Sequence, residues 1–431
     1  MTEKRKKDFL INRILIMILA LAFVFIRTQD VKASVVSDEE VTVRFYDGTK
    51  PDVLLDGNYN TTMDVSGKTL YVLNTLNVAG VYLIWDKPVG DYTITVGDLP
   101  DTCDEWVDMR IYGTEIIHQY VDLRYQGKWI AIRMPEDAVL CDVYFLDFGE
   151  LPEWVQVWQE PYETADMLFI PTHADDELLF FGGAIPTYAG ELGYKVQIAY
   201  MTNHWKERYR PHELLNGLWT CGETAYPVIG PFTDIYSESL EHAKTLYDED
   251  EVIGFMVGLI RRFKPYVILG HDINGEYGHG VHMYNTDALM KALELSNDPE
   301  QYPETAKQYG VWDVPKTYLH LYEENVINLE WDTPLSRFDG KDGVQVASEA
   351  FDCHVSQRSF YVLERRKNSK FCCTLFGLYR STVGLDEEKN DFLENIEFTK
   401  ENRREYQQSV LSLLTRYHRL NNWVADFFEG R

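Results

Sequence analysis

Met167-Leu168-Phe169-Ile170-Pro171-Thr172-His173-Ala174-Asp175-Asp176-Glu177-Leu178-Leu179-Phe180-Phe181-Gly182-Gly183 decides how this chain is read. A short apolar run, a polar turn and a second apolar run predict a buried strand, a tight loop and the start of a helix. The turn packs one imidazole and three carboxylates into residues 173–177. In an open α/β sheet, ligands bind outside the carboxyl ends of the strands, which is where this loop falls. A second apolar run, Tyr266–Gly270, leads into Tyr277-Gly278-His279-Gly280-Val281-His282. If the two strands are neighbours, His173, Asp176 and His282 converge on one metal ion.

The residue types suit that chemistry. A catalytic zinc takes three protein ligands and leaves a position for water. Imidazole and carboxylate also suit iron, so Zn2+ and Fe2+ both remain open. Asp175, beside the ligand Asp176, is the candidate general base. His279 is placed to hydrogen-bond a developing oxyanion or to protonate a leaving amine. An acidic cluster before a helix also serves as an N-terminal cap. Two histidine-bearing loops, each after a buried-strand pattern, favour the metal site over the cap.

These segments resemble the PIG-L/LmbE family of metal-dependent N-acetylglucosaminyl deacetylases. The resemblance is clear over residues 165–300 and extends to about 397. It implies metal ligation by His173, Asp176 and His282, Asp175 as base, His279 as the assisting histidine and Tyr277 as a polariser of the substrate carbonyl. Gly182 and Gly183 match the glycine pair after the acidic loop. It also implies weaker substrate roles for Arg210 and Asp234; His204, directly after the strand end Thr202-Asn203, falls at a cleft position and is a further substrate candidate. Ala174 stands where the family has Pro. Gly280-Val281 replaces Pro-Asp, which removes an acidic partner that could orient an imidazole. His271-Asp272 closes a strand and is placed to support the ligands from behind.

Residues 34–155 read as an all-β, jelly-roll-like sandwich. Short β-rich runs recur at 41–45, 69–73, 80–85, 92–96, 129–133 and 143–146, separated by Gly, Pro, Asn and Asp clusters. Leu54-Leu55-Asp56-Gly57-Asn58-Tyr59-Asn60-Thr61-Thr62 resembles a loop of discoidin-like, galactose-binding-type domains, which implies carbohydrate binding and a structural Ca2+ there. Trp85, Trp106 and Trp129 fit either the core or sugar stacking. From residue 160 to 398, strand and helix patterns alternate, as in a Rossmann-like domain with a mostly parallel sheet. Expected helices cover Glu177–Gly193, bent at Pro186, and Pro211–Gly222, with Pro in its first turn. Residues 399–431 read as a C-terminal helical segment.

Residues 1–33 carry the pattern of a secretory signal peptide. Lys4-Arg5-Lys6-Lys7 and Arg13 precede the 13-residue apolar run Ile14–Ile26, and Val31-Lys32-Ala33 offers a cleavage site. The run is shorter than the roughly 20 residues a spanning helix needs, so a secreted or cell-surface protein is expected. The 431 residues hold 41 Lys+Arg against 69 Asp+Glu, a formal charge of −28, which argues against nucleic acid as a partner. Six cysteines show no disulfide framework, Cys103 with Cys141 being the pair considered. Ser356 lacks the Gly-x-Ser-x-Gly elbow of a serine hydrolase. The expected activity is removal of acetyl from an N-acetylated glycan. The alternatives are a glycan-binding protein with a vestigial metal site and a metal hydrolase of another amide or ester.

Overall fold

The structure is a computed structural model that describes residues 32–37, 40–98, 106–113 and 115–397. The expected signal segment up to residue 31, Cys103 and the expected helix 399–431 lie outside the described residues.

Among the described residues, the first part of the chain forms nine strands in two antiparallel sheets. β1 (Thr42–Phe45), β3 (Thr69–Leu73), β8 (Trp129–Arg133), β5 (Tyr92–Gly97) and β6 (Trp106–Ile111) make one sheet, in that spatial order. β2 (Met63–Asp64), β9 (Val139–Leu146), β4 (Gly80–Trp85) and β7 (His118–Asp122) make the other. Leu70, Val72, Ile130 and Ile132 from the first sheet share one apolar core with Val81, Leu83, Val143 and Phe145 from the second. Their spacing by two follows from strand geometry, which sends alternate side chains to one face. Trp85 and Trp129 are buried, so neither serves as an open sugar platform.

The second part is built on a seven-stranded mixed sheet. β12 (Val228–Thr233), β11 (Val196–Asn203), β10 (Met167–Phe169), β13 (Val267–Gly270) and β14 (Lys316–His320) run parallel in that order. β16 (Leu375–Ser381) and β15 (Val326–Asn328) add an antiparallel edge, which the sequence reading of a mostly parallel sheet did not contain. β10 divides its side chains between two cores. Met167 and Phe169 face one side, and Leu168 and Ile170 face the helices Glu249–Phe263 and Gly280–Leu295 on the other. Helices on both faces leave β11 buried along all its residues, Gln197, Thr202 and Asn203 included. The chain steps from β10 to β11 on one side and returns to β13 on the other. The carboxyl ends of β10 and β13 therefore flank a topological switch point.

The expected helix Glu177–Gly193 is interrupted. A single helical turn, Asp176–Leu179, is followed by irregular turns and a π-helical stretch, Pro186–Glu191. Gly182 sets the break with φ +54°, and a Cβ there would lie 2.8 Å from Cys373 Cβ. Gly183 is equally tight against Trp331. Close backbone approach, not helix continuation, is what the glycine pair provides. The next helix runs Tyr209–Thr220, two residues earlier than expected.

Candidate metal centre and active site

His173, Ala174 and Asp175 leave the end of β10, while His271, Tyr277, His279 and His282 follow β13. Parallel pairing of Met167 with Val267 brings the two loops together. Asp176 opens the helical turn after β10, and His282 lies in the first turn of Gly280–Leu295.

Three atoms meet in a triangle. Asp176 Oδ2 lies 3.2 Å from both His173 Nδ1 and His282 Nε2, and the two nitrogens are 2.8 Å apart. A tetrahedral zinc with bonds of about 2.0–2.1 Å sets its ligand atoms about 3.3 Å from one another, so the triangle fits that donor set. His279 can join His173 and His282, and His271 can join Asp176 and His282, in groups whose ligand atoms lie within 4.8 Å of one another. All five residues are buried.

Carboxylates orient this centre from outside it, despite the loss of the expected acid between the two histidines. Asp234 places Oδ1 3.3 Å from His173 Nε2 and Oδ2 3.3 Å from His204 Nδ1. His204 Nε2 accepts the Ala174 N–H at 3.0 Å, so Nδ1 carries the proton and faces Asp234. Burial pushes the His204 pKa down to about 4, in keeping with a neutral ring. Behind Asp176, His271 Nε2 accepts the Thr172 N–H at 2.9 Å and its Nδ1 faces Glu276 Oε1 at 3.0 Å. Glu276 also takes His320 Nδ1 at 2.9 Å. Glu276 and His320 were not singled out from the sequence. Glu276 adjoins Tyr277 in the same loop and was legible there, whereas His320 sits 44 residues further on and carried no signal.

Asp175 occupies the N-cap position but makes no side-chain cap hydrogen bond, so the capping reading does not hold. Its backbone stands at φ 108°, a region costing about 1–3 kcal/mol for a residue with a side chain. Burial raises the Asp175 carboxyl to about 7, with Arg210 opposing the rise and Asp176 adding to it. Arg210 is buried, donates through Nη2 to Ala174 O and lies 3.5 Å from Asp175 Oδ1. It braces the loop, a contact that neither a sugar-binding role nor an exposed ion pair anticipates.

His279 Nδ1 accepts the Val281 N–H at 3.3 Å, which leaves the proton of the neutral ring on Nε2. Burial, then His173 and His282, hold its pKa down at about 3. Tyr277 stands in the left-handed region at φ 45°, partly exposed, with its ring centre 5.5 Å from that of His282. Ser356 gives both N–H and Oγ–H to Glu213, at 3.0 and 2.6 Å, and so serves that carboxylate. In the β-rich part, Asp56 accepts Asn58 N–H at 2.9 Å and Thr61 Oγ–H at 2.8 Å. Both its oxygens are used within the turn, and nothing supports calcium there. Cys141 is a free, buried thiol.

No family model matches the chain. Among curated proteins it is similar to 1D-myo-inositol 2-acetamido-2-deoxy-alpha-D-glucopyranoside deacetylase 1 of Catenulispora acidiphila. That match is 26% identical over 219 residues, spanning 44% of this chain and 62% of that protein. Deacetylase 2 of the same description from Saccharopolyspora erythraea is 25% identical over 288 residues, 61% of this chain and 99% of that protein. The chain therefore spans less than two thirds of the first relative's length and nearly all of the second's. Among solved structures, N,N'-diacetylchitobiose deacetylase from Pyrococcus horikoshii, complexed with its inhibitor MPG, gives a TM-score of 0.34 at 16% identity. It covers 46% of this chain and 72% of that one. CpGH89CBM32-6 of Clostridium perfringens gives 0.20 at 14% identity, covering 26% and 95%. The resemblance to PIG-L/LmbE deacetylases is borne out by the two curated relatives, both deacetylases by description.

Proposed function

We propose that this relative of the PIG-L/LmbE deacetylases is an exported, divalent-metal-dependent enzyme. Its reaction is hydrolysis of the N-acetyl group of an N-acetylglucosamine-type glycan to free amine and acetate. The observation that carries the reading is the convergence of His173 Nδ1, Asp176 Oδ2 and His282 Nε2, with the Asp175 carboxylate beside them. Export is supported by the basic and apolar pattern of residues 4–33. The proposed division is a jelly-roll-like domain at 34–155, which holds the enzyme near its glycan, and a Rossmann-like deacetylase domain at 160–398.

His173, Asp176 and His282 would hold the ion, zinc or ferrous iron. When bound, such an ion polarises water and the amide carbonyl. Asp175 removes a proton from the attacking water as the oxygen–carbon bond forms. It returns that proton to the nitrogen as the carbon–nitrogen bond breaks, so amine and acetate leave with the base regenerated. His279, neutral with its proton on Nε2, donates a hydrogen bond to the developing oxyanion. That geometry favours the oxyanion role over protonation of the amine. Tyr277 lies on the same side and helps to polarise the carbonyl. Asp234 and His204 hold His173 and the Ala174 backbone in place.

Acetate release from N-acetylglucosamine and its β-linked oligomers, with Asp175→Asn alongside, tests the proposal. Release by the parent chain, reduced at least a hundredfold in the variant, is the expected result. Equal release from both overturns it.

A further inference from the structure

We infer that the N-terminal β-domain is a positioning part of the active site, and that it acts through the helix Tyr209–Thr220. Residues on opposite sides of that helix serve different domains. Arg208, His212, Asn216 and Trp219 follow one another at spacings of four, four and three, which aligns them on one face. Arg210, Glu213 and Gly217, at spacings of three and four, align on another.

The first face is tied to the β-domain and the segment that follows it. Arg208, in helical conformation at the N-cap, sets Nε 2.9 Å from Asp86 Oδ1 at the end of β4. His212 Nδ1 lies 2.8 Å from His118 Nε2, the two rings stacked with centres 5.1 Å apart. His118 Nδ1 meets Gln156 Oε1 at 2.8 Å, and Gln156 Nε2 donates to Asn216 Oδ1 at 2.6 Å. Trp219 Nε1 donates to Glu153 O at 2.7 Å.

The proton positions in this network follow from its partners. Gln156 Oε1 only accepts, so His118 carries its proton on Nδ1 and accepts on Nε2. His212 then donates from Nδ1, and its Nε2 is left facing Cys141 Sγ at 3.8 Å. Both rings are buried and neutral, with burial pushing the His118 pKa down to about 4. A buried network with every member paired fixes one arrangement, because any shift strands a donor.

The second face holds the catalytic loop. Arg210 binds Ala174 O and approaches Asp175, and Glu213 binds Ser356. Gly217 lets His354 pack so close that a Cβ there would lie 3.0 Å from its Nε2. His354 Nε2 is 3.6 Å from Glu177 Oε1, and Glu177 Oε2 accepts the Asp175 N–H. The helix thus transmits the β-domain's position to Asp175 through Arg210, while His354, packed against Gly217, only approaches Glu177.

Arg208 is the place to test this, because its half-exposed side chain can be changed without opening the core. The full chain is compared as parent, Arg208→Met and Arg208→Lys. Amide hydrogen exchange should rise in Arg208→Met over residues 172–177 as well as 209–220, and stay near the parent in Arg208→Lys. With N-acetylglucosamine, a substrate too small to bridge the domains, kcat should fall about tenfold in Arg208→Met at unchanged KM, and recover in Arg208→Lys. The kinetic arm rests on the proposed deacetylation; the exchange arm does not. Absence of acetate release by the parent therefore counts against the proposed function alone. Raised exchange confined to residues 208–220, with 172–177 unchanged, overturns the inference. So does an unchanged kcat in Arg208→Met.

Discussion

Glu177 accepts the backbone N–H of Asp175 at 2.9 Å, so the third carboxylate of the acidic loop holds the Ala174–Asp175 peptide unit directly before Asp176. That bond sustains the left-handed conformation of Asp175 and aims its side chain alongside Asp176 instead of at the helix amides. On the proposed mechanism the three neighbouring acids have three duties: Asp175 accepts a proton, Asp176 binds metal and Glu177 shapes the loop.

The first two duties separate by mutation. Asp175→Asn keeps the shape and the ligand triangle but cannot take a proton, and general-base loss typically costs about 10²–10⁴ in rate. Its metal content should match the parent's. Asp176→Asn should bind metal more weakly in equilibrium dialysis, because it removes the oxygen shared by His173 and His282. Full metal occupancy at limiting ion in Asp176→Asn would contradict the ligand assignment.

Metal binding should release a proton at neutral pH. Burial alone would lower the His173 pKa, but Asp234 and Asp176 outweigh it and raise the ring to about 10 in the ion-free protein. A ligand must be unprotonated to bind. Apparent affinity should therefore rise about tenfold per pH unit through neutrality and level off near pH 10, where the ring is already neutral. Calorimetry in buffers of different ionisation enthalpy counts the proton directly. Asp234→Ala should cut affinity by about 10–100-fold, the usual cost of losing a carboxylate that orients a ligating histidine.

Glu223 offers a pH test away from the metal. It is buried, its Oε1 accepts the Thr224 and Ala225 N–H groups at 2.9 and 2.8 Å, and burial raises its pKa to about 8. A carboxyl raised from 4.5 to about 8 binds its proton more tightly when folded. Its contribution to stability is intact below pH 4.5 and is lost as pH climbs towards 8. Glu223→Gln keeps the acceptor oxygen and removes the ionisation. It should unfold like the parent near pH 4.5 and be more stable by about 2–5 kcal/mol at pH 8.5. Parallel denaturation curves for the two proteins across that range would refute the assignment.

Gly182→Ala should be among the most damaging single-methyl additions. The new Cβ would meet Cys373 at 2.8 Å in a left-handed backbone. A loss of about 2–4 kcal/mol, read by urea denaturation, is expected from combined strain and overpacking. A change below about 0.5 kcal/mol would show that the break after Leu179 relaxes more easily than its packing suggests.

The parts of this protein that were legible in sequence are those with a local signature. Met167–Phe169 and Val267–Gly270 are buried strands written as apolar runs, Val196–Asn203 is one whose apolar residues are interrupted by Gln197, and the two histidine loops follow the first two. Candidate site residues three apart, His173 and Asp176 or His279 and His282, lie close in any tight turn or helix start. What stayed hidden depends on distant partners. Glu276 reaches His320 across 44 residues, Glu213 reaches Ser356 across 143, and His118 reaches His212 across 94. The helix Tyr209–Thr220 packs an apolar stripe of Leu214, Leu215 and Leu218 into the core, but that stripe did not announce the polar contacts on its two working faces. Gly182 and Gly183 looked compatible with a helix until Cys373 and Trp331 arrived against them.

The place of β16 in the sheet carries a consequence for the order of assembly. This strand arrives last in sequence among the seven, yet it sits between β14 and β15. The carbonyl of Cys372, just ahead of it, holds His320 Nε2, whose other nitrogen meets Glu276. A chain emerging amino end first would make His173, Asp176 and His282 long before residue 375 is available to close that support. The histidine scaffold behind Asp176 is therefore finished only after residue 372 has been made, and shorter chains would carry His173, Asp176 and His282 without the frame behind them.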